Sequence, residues 1–344
     1  MALDSAKLIG IVLYLLILLG IGFAASSRMK DVRDFFAAGK RLSFWSVAFS
    51  ARATGESAWL LLGLTGMGAA LGVHAFWVVL GEVLGVTVAW LLMSRRFKRL
   101  TDHYDAITMP DYLESRFADQ SQKLRLVSAW ALVIFVTIYV SAQIDATGTA
   151  FEQFLGWNYY VGALVGFAVV LGYCVSGGFL AVAWSDVFQG TLMFLGLVTL
   201  PILGFIELGG WAAMSQTLAE LDPNLLNWSG SNQWTGMEIA SAVGLSLIGL
   251  GFMGSPQIFV RFLSLRDERE IPKGATVAIV WTLLADSGAV LTGMVGRALL
   301  SKPGQSVTDA LGKQGQDVLP NLVEHLLPAF LVGLFIAIVL SAIM

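Results

Sequence analysis

A chain of 344 residues with 56% hydrophobic residues, 13% charged residues and a mean hydropathy of +0.74 has too little polar surface for a water-soluble fold, and reads as an integral membrane protein. Twenty-one Lys and Arg against 24 Asp and Glu leave a net charge of −3, so there is no basic field to hold nucleic acid. The single cysteine, Cys174, and three dispersed histidines, His74, His103 and His325, exclude an intrachain disulfide and zinc sites built from Cys and His.

A helix needs about 20 apolar residues to cross the bilayer core. About nine such stretches follow one another, near residues 6–26, 44–68, 71–94, 125–154, 158–179, 187–208, 237–263, 274–298 and 326–344. The first has the position and the small-residue end of a signal peptide, but its apolar run is too long and its positive charge lies after it, so it is expected to be a retained span. The second contains the tract Ser50 to Trp59, with Arg52 and Glu56 inside an otherwise apolar segment. The third carries Glu82, the fourth Tyr139 and Asp145, and the sixth opens on Trp184-Ser185-Asp186. The seventh is interrupted by Gly249, Gly251, Gly254 and Pro256, and the eighth holds Asp286.

Orientation follows from where Lys and Arg fall. Sixteen of the 21 lie in loops of one parity, after spans 1, 3 and 7, and four on the other; Arg52 is left within the membrane. The N-terminus is therefore expected outside, in a multi-pass protein of the cell membrane. The loop near 209–236, without one Lys or Arg, fits the outer face.

Three glycines and a proline weaken helix in span 7, as the small and polar tract interrupts span 2, and backbone groups so released are tolerated in hydrocarbon only where protein or a watery cavity shields them. Each break alone is also what an ordinary Gly or Pro kink looks like. Two of them, five spans apart, point to inverted repeats around a site near the membrane midplane. Freed carbonyls supply oxygen ligands for a small cation, and half-helix ends supply dipoles for a charged solute. Thr54 and Ser57 offer hydroxyls there, and Trp59 a wall.

These tracts resemble the sodium/solute symporter family, and most closely its sodium/proline branch. The resemblance is carried by Phe35-Phe36-Ala37-Ala38-Gly39-Lys40-Arg41-Leu42, Ser57-Ala58-Trp59-Leu60-Leu61, Thr108-Met109-Pro110-Asp111-Tyr112, and Gly177-Gly178-Phe179-Leu180-Ala181-Val182 followed by Trp184-Ser185-Asp186. It continues in Gly254-Ser255-Pro256-Gln257 with Arg261-Phe262, and in Leu340-Ser341-Ala342-Ile343-Met344. It implies an all-α, leucine-transporter-type bundle of inverted five-helix repeats after one extra helix (6–26), with 44–208 as the first repeat and 237–344 as an incomplete second one. It also implies a sodium site drawing on the carbonyls of Ala53, Glu56 and Ala342, a cation-passage role for Asp186, and solute contacts from Tyr139, Ile248, Phe252 and Ser255. For Asp186 a helix-capping role fits equally well. Gly55 stands where proline symporters carry an acid, with Glu56 one residue on.

Ionisable residues inside a span are costly and functional by default. Arg52 and Glu56, four apart, can pair on one helix face. Glu82, Asp145 and Asp286 are expected to be buried or gating charges that pair with Arg52, serve a cation, or take a proton. The chain is thus expected to be a sodium-coupled symporter of a small organic solute, an amino acid such as proline first and pantothenate or another carboxylate second, with sodium as the coupling ion and no cofactor. The competing class is a transporter-like sensor. An enzyme is disfavoured because no nucleophile, base and metal set is visible, and a passive channel because broken helices with lone acids suit an occluded site.

Overall fold

The computed structural model describes residues 5–343, without the side chains of residues 5–7, Gln153 and Phe330; Met344, which closes the last quoted tract, lies outside the described residues. With no water in the bilayer core to satisfy backbone groups, an apolar chain of this kind must be helical. Among the described residues the only strand-like pairing is a single bridge between Leu42 and Leu265.

Helix α1 (Ser5–Ser26) is a plain apolar span. Helix α2 (Phe44–Ala58) starts at Ser43, whose side chain accepts from the Ser46 amide, and continues through a π-helical segment, Trp59–Leu64, into α3 (Thr65–Leu71). Gly72, at φ 59°, ends it against the Leu225 carbonyl, where a Cβ would come within 1.9 Å. Helix α4 (Phe76–Val88) follows, then α5 (Lys123–Leu155) and α6 (Tyr159–Leu208). Beyond it, besides shorter connecting helices, come α7 (Gly236–Leu247), α8 (Leu250–Gly254), α9 (Pro256–Ser264), α10 (Ile271–Leu300) and α11 (Ala329–Ile343).

Six helical stretches are long and apolar enough to cross a membrane, and two of them, 44–103 and 159–208, are 60 and 50 residues long. At 1.5 Å per residue, 50 residues would reach about 75 Å, more than twice the hydrocarbon thickness. Each is divided by a glycine of positive φ, Gly72 and Gly178, so each supplies two crossings. The apolar helix Leu331–Ile343, shorter than a full span, follows them in the place of the ninth expected stretch. The expected gap between the fifth and sixth spans is absent: helix resumes directly after Gly178 (φ 54°, ψ −155°). Asp186 therefore lies eight residues inside helix, and the capping role open to it in the sequence is not the one it has.

Helix α10 is the axis of the bundle, packed by α2, α3, α4 and α6. The approaches are set by glycine. A Cβ on Gly293 would meet the Thr65 carbonyl at 2.0 Å, one on Gly68 the Val290 carbonyl at 2.3 Å, and one on Gly288 the Leu197 carbonyl at 2.2 Å. Small residues let membrane helices bring their backbones together, and the close van der Waals contact replaces the hydrophobic drive that lipid does not provide. Helix α5, in contrast, is exposed along most of its length. Lys40 donates to the Thr101 carbonyl at 3.0 Å and to Asp102 at 3.1 Å, so this charge is buried as a tie between segments.

Candidate functional site

Both interruptions expected in the membrane are present. In α2 the break falls at Ser57, with φ 56° and ψ −168°. A non-glycine residue held there stores about 1–3 kcal/mol, which the surrounding packing must over-determine. The second broken helix loosens between α7 and α8 and opens fully at Ser255 (φ −78°, ψ 112°), before Pro256 restarts helix as α9. Proline fits that first helical position because its missing N–H would have had no intrahelical acceptor.

The two breaks face each other. A Cβ on Gly55 would lie 3.1 Å from the Phe252 ring and 3.5 Å from Ile258, side chains that flank the Ser255 break on either side. Gly55, the position where an acid was expected on resemblance, is thus a packing glycine against the second broken helix.

One side chain ties three helices together beside the breaks. On α6, Asp186 Oδ2 accepts hydrogen bonds from Ser50 Oγ, from Thr54 Oγ1 at 3.2 Å and from Arg261 Nη2 at 2.6 Å. Arg261, on α9, also donates through Nε to Ser50 Oγ at 2.7 Å, through Nη1 to the Gln257 carbonyl at 2.8 Å, and through Nη2 to Thr54 Oγ1. Ser50 and Thr54 are one turn apart on α2 and present their hydroxyls on one face. Both charged side chains are buried, which makes the pair worth little as net stability but costly to halve.

Next to this network is a cavity of about 180 Å³. Ala53, Thr54, Tyr139, Asp186 and Ala342 line it, and so do Gln143, Gln189 and Ser341. The Tyr139 hydroxyl donates to the Thr54 carbonyl at 3.3 Å. A carboxylate, hydroxyls and amide side chains around a mostly apolar space are a donor set for a hard monovalent cation and a small polar solute.

Other expected positions fall elsewhere. Glu56 does not line the cavity; its carboxylate is buried against the Arg52 guanidinium, the pair that their four-residue spacing suggested. Phe252 is buried on Gly55 and under Arg52, whose guanidinium carbon is 5.0 Å from its ring centroid. Ile248 is exposed, the Ser255 hydroxyl is spent on the Gly251 carbonyl at 2.9 Å, and Trp59 packs over Gly63. Ser57 contributes the break and binds the Trp59 amide through Oγ at 3.3 Å, without lining the cavity. Asp145, expected as a buried charge, is exposed and accepts from the Tyr159 hydroxyl at 2.6 Å. Glu82, Asp286 and Arg52 are each buried, on α4, α10 and α2.

Sequence reasoning missed Arg261, which it counted among the inner orientation charges, and also Ser50 and Gln189. The signal for Arg261 was its place one turn into α9 between Phe259 and Phe262, where the neighbours are apolar. Ser50 is one turn before Thr54, and Gln189 one turn beyond Asp186.

A model described as "Sodium:solute symporter family" matches residues 35–344. The chain is 34% identical over 325 residues to the high-affinity proline transporter of Bacillus subtilis (strain 168), covering 94% of this chain and 67% of that protein. It is 32% identical over 338 residues to the osmoregulated proline transporter of the same organism, covering 98% and 67%. With the sodium/proline symporter of Escherichia coli (strain K12) the identity is 29% over 345 residues, covering 100% and 68%. The chain thus spans about two thirds of the length of these relatives. Among solved structures it superposes on a Na+-coupled sialic acid symporter, captured substrate-bound and outward-open, with a TM-score of 0.81 at 20% identity over 98% of this chain and 70% of that one. The fold is therefore the leucine-transporter type, and the protein is a multi-pass membrane protein.

Proposed function

The chain belongs to the sodium:solute symporter family, and from that premise we propose that it forms the core of a sodium-coupled importer of an amino acid, proline first among the candidates. A carboxylate such as pantothenate is the second candidate. The names of the Bacillus and Escherichia relatives support proline, and the size of the cavity agrees with a solute of that scale. Residues 44–208 then form the first repeat and 237–344 belong to the second.

The observation that carries the reading is the meeting of the two broken helices, Gly55 against Phe252 and Ile258, beside a cavity that gathers Ala53, Thr54, Asp186 and Ala342. The carbonyls of Ala53 and Ala342 and the carboxylate of Asp186 would hold sodium, and Thr54 and Tyr139 would face the solute. Sodium also competes electrostatically with Arg261 for Asp186. Binding of the cation would loosen the link from α6 to α9 and couple the ion to the second broken helix. Each ligand then tightens the other by the same factor, as linkage requires.

Uptake of labelled proline, other amino acids and organic acids into proteoliposomes containing the full-length protein tests this directly. Accumulation of one of them is expected to rise at least tenfold under an inward sodium gradient over choline. A panel in which no solute responds to sodium refutes symport, and a response confined to a carboxylate without an amino group refutes the amino-acid assignment.

A further inference from the structure

The helical stretch 44–103 ends on a basic face that takes no part in the site at Asp186. Along its second half the exposed side chains are at first apolar: Leu84, Leu91 and Leu92 are 55%, 50% and 64% exposed. One turn later they are arginines, since Arg95, Arg96 and Arg99 are exposed in the helix Arg95–His103. The other side of that helix is fixed to the bundle. Phe97 packs edge-on against Tyr112 and Phe259, with ring centroids 5.1 and 5.0 Å apart. The buried Lys98 donates to Asp102 at 2.9 Å and to the Leu263 carbonyl at 3.2 Å. The arginines are therefore carried by a seated helix, and not by a free loop.

The three arginines alone line a cavity of about 410 Å³. Arg99 is engaged, because its Nε and Nη2 donate to the two carboxylate oxygens of Glu268 at 3.2 and 3.0 Å. Arg95 and Arg96 have neither a hydrogen bond nor an ion pair among the described residues. Three cations thus meet one acid, and two guanidinium groups are left without a counter-charge. Charges that only orient a membrane protein act through their number on one side of the bilayer, and need neither a shared face nor a shared cavity. Neighbouring guanidinium groups suit the oxygens of a phosphate, which accept two parallel hydrogen bonds from one fork.

A free phosphate would account for the arginines but not for the leucines that run up to them. On a membrane-crossing helix an exposed apolar stripe is covered by acyl chains, and the headgroup layer begins where the hydrocarbon ends. We propose that Arg95 and Arg96, backed by Arg99, bind the phosphate of an anionic phospholipid whose chain lies along Leu91 and Leu92. Charge selects the anionic lipid, since the amine of a zwitterionic headgroup would bring a further cation to a face that already has two in excess. The site rests on the membrane location of the chain and stands whether or not the chain moves a solute.

Native mass spectrometry of the full-length protein tests this, with equal amounts of dioleoyl phosphatidylglycerol and dioleoyl phosphatidylcholine added in detergent. Bound phosphatidylglycerol is expected to exceed phosphatidylcholine about fivefold in the wild type, and to come within about twofold of it in the Arg95→Gln, Arg96→Gln double variant. Both positions are exposed, so that variant is expected to fold, as its elution on size-exclusion chromatography will show. An Arg116→Gln, Lys123→Gln double variant removes the same charge from other exposed positions and is expected to keep the wild-type preference. No preference in the wild type, a preference that survives in the Arg95, Arg96 variant, or an equal loss in the Arg116, Lys123 variant overturns the proposal. Displacement of the lipid by an equal concentration of inorganic phosphate also overturns it, because the site would then be one for a free anion. The wild-type and phosphate measurements decide without any variant.

Discussion

Asp186 concentrates three donors on a single oxygen, and its replacement acts on all of them at once. In Asp186→Asn the buried Arg261 keeps its charge and loses its counter-ion, a change that costs about 3–5 kcal/mol when one partner of a buried pair is removed. The melting temperature in detergent is expected to fall, and the stabilisation that sodium chloride gives over choline chloride to vanish; a variant that retains the full sodium effect removes Asp186 from the cation site. Glu56 makes the opposite comparison. The family resemblance placed its backbone carbonyl at the sodium site, and its spacing from Arg52 suggested a side-chain pair, which the fold forms. Glu56→Gln is therefore expected to lower thermal stability while leaving the sodium concentration for half-maximal uptake within about twofold. A shift beyond tenfold, which corresponds to about 1.4 kcal/mol of binding free energy, would return Glu56 to the cavity.

At the scale of helices, glycine decides where elements can approach. Gly81 and Gly249 lie back to back where α4 crosses the second broken helix: a Cβ on Gly81 would come 2.0 Å from the Ser246 carbonyl, and one on Gly249 1.9 Å from the Gly81 carbonyl. Backbone atoms cannot yield as a side chain can, so Gly81→Ala and Gly249→Ala are expected to cost about 1–3 kcal/mol by overpacking. The folded, monodisperse fraction on size-exclusion chromatography should fall by more than half. Gly251→Ala, two residues on but with open space around its Cβ position, is the control and is expected to match the wild type. Equal yields for all three would mean that this crossing is not formed. The breaks themselves were legible: Gly and Pro in span 7, and the polar tract in span 2, marked where helix would fail. Their exact seats were not, since Ser57 adopts positive φ two residues beyond Gly55, against the preference of its own side chain, because the surrounding helices hold it there.

For the whole molecule, the clearest sequence signal is the distribution of Lys and Arg, which orients the bundle before any contact is known. Asn232 is exposed in the loop expected outside and Arg96 is exposed in a loop expected inside. A cysteine at Asn232, in a background with Cys174 replaced by Ala, should react with a membrane-impermeant maleimide in intact cells; one at Arg96 should react only after permeabilisation. The reverse pattern would invert the assignment.

Apolar length, helix breakers and loop charge are local quantities, and from them the sequence determined that the chain is helical, crosses the membrane about nine times and is interrupted twice. The family was also readable there, because short tracts in a fixed order are a property of the chain itself. Which charge meets which was decided only by the tertiary structure. Arg261 and Asp186 are 75 residues apart, and Arg52, Glu82 and Asp286 come from three different helices. In a low-dielectric interior a charge takes whatever partner packing brings within reach, and no periodicity along the chain encodes that distance.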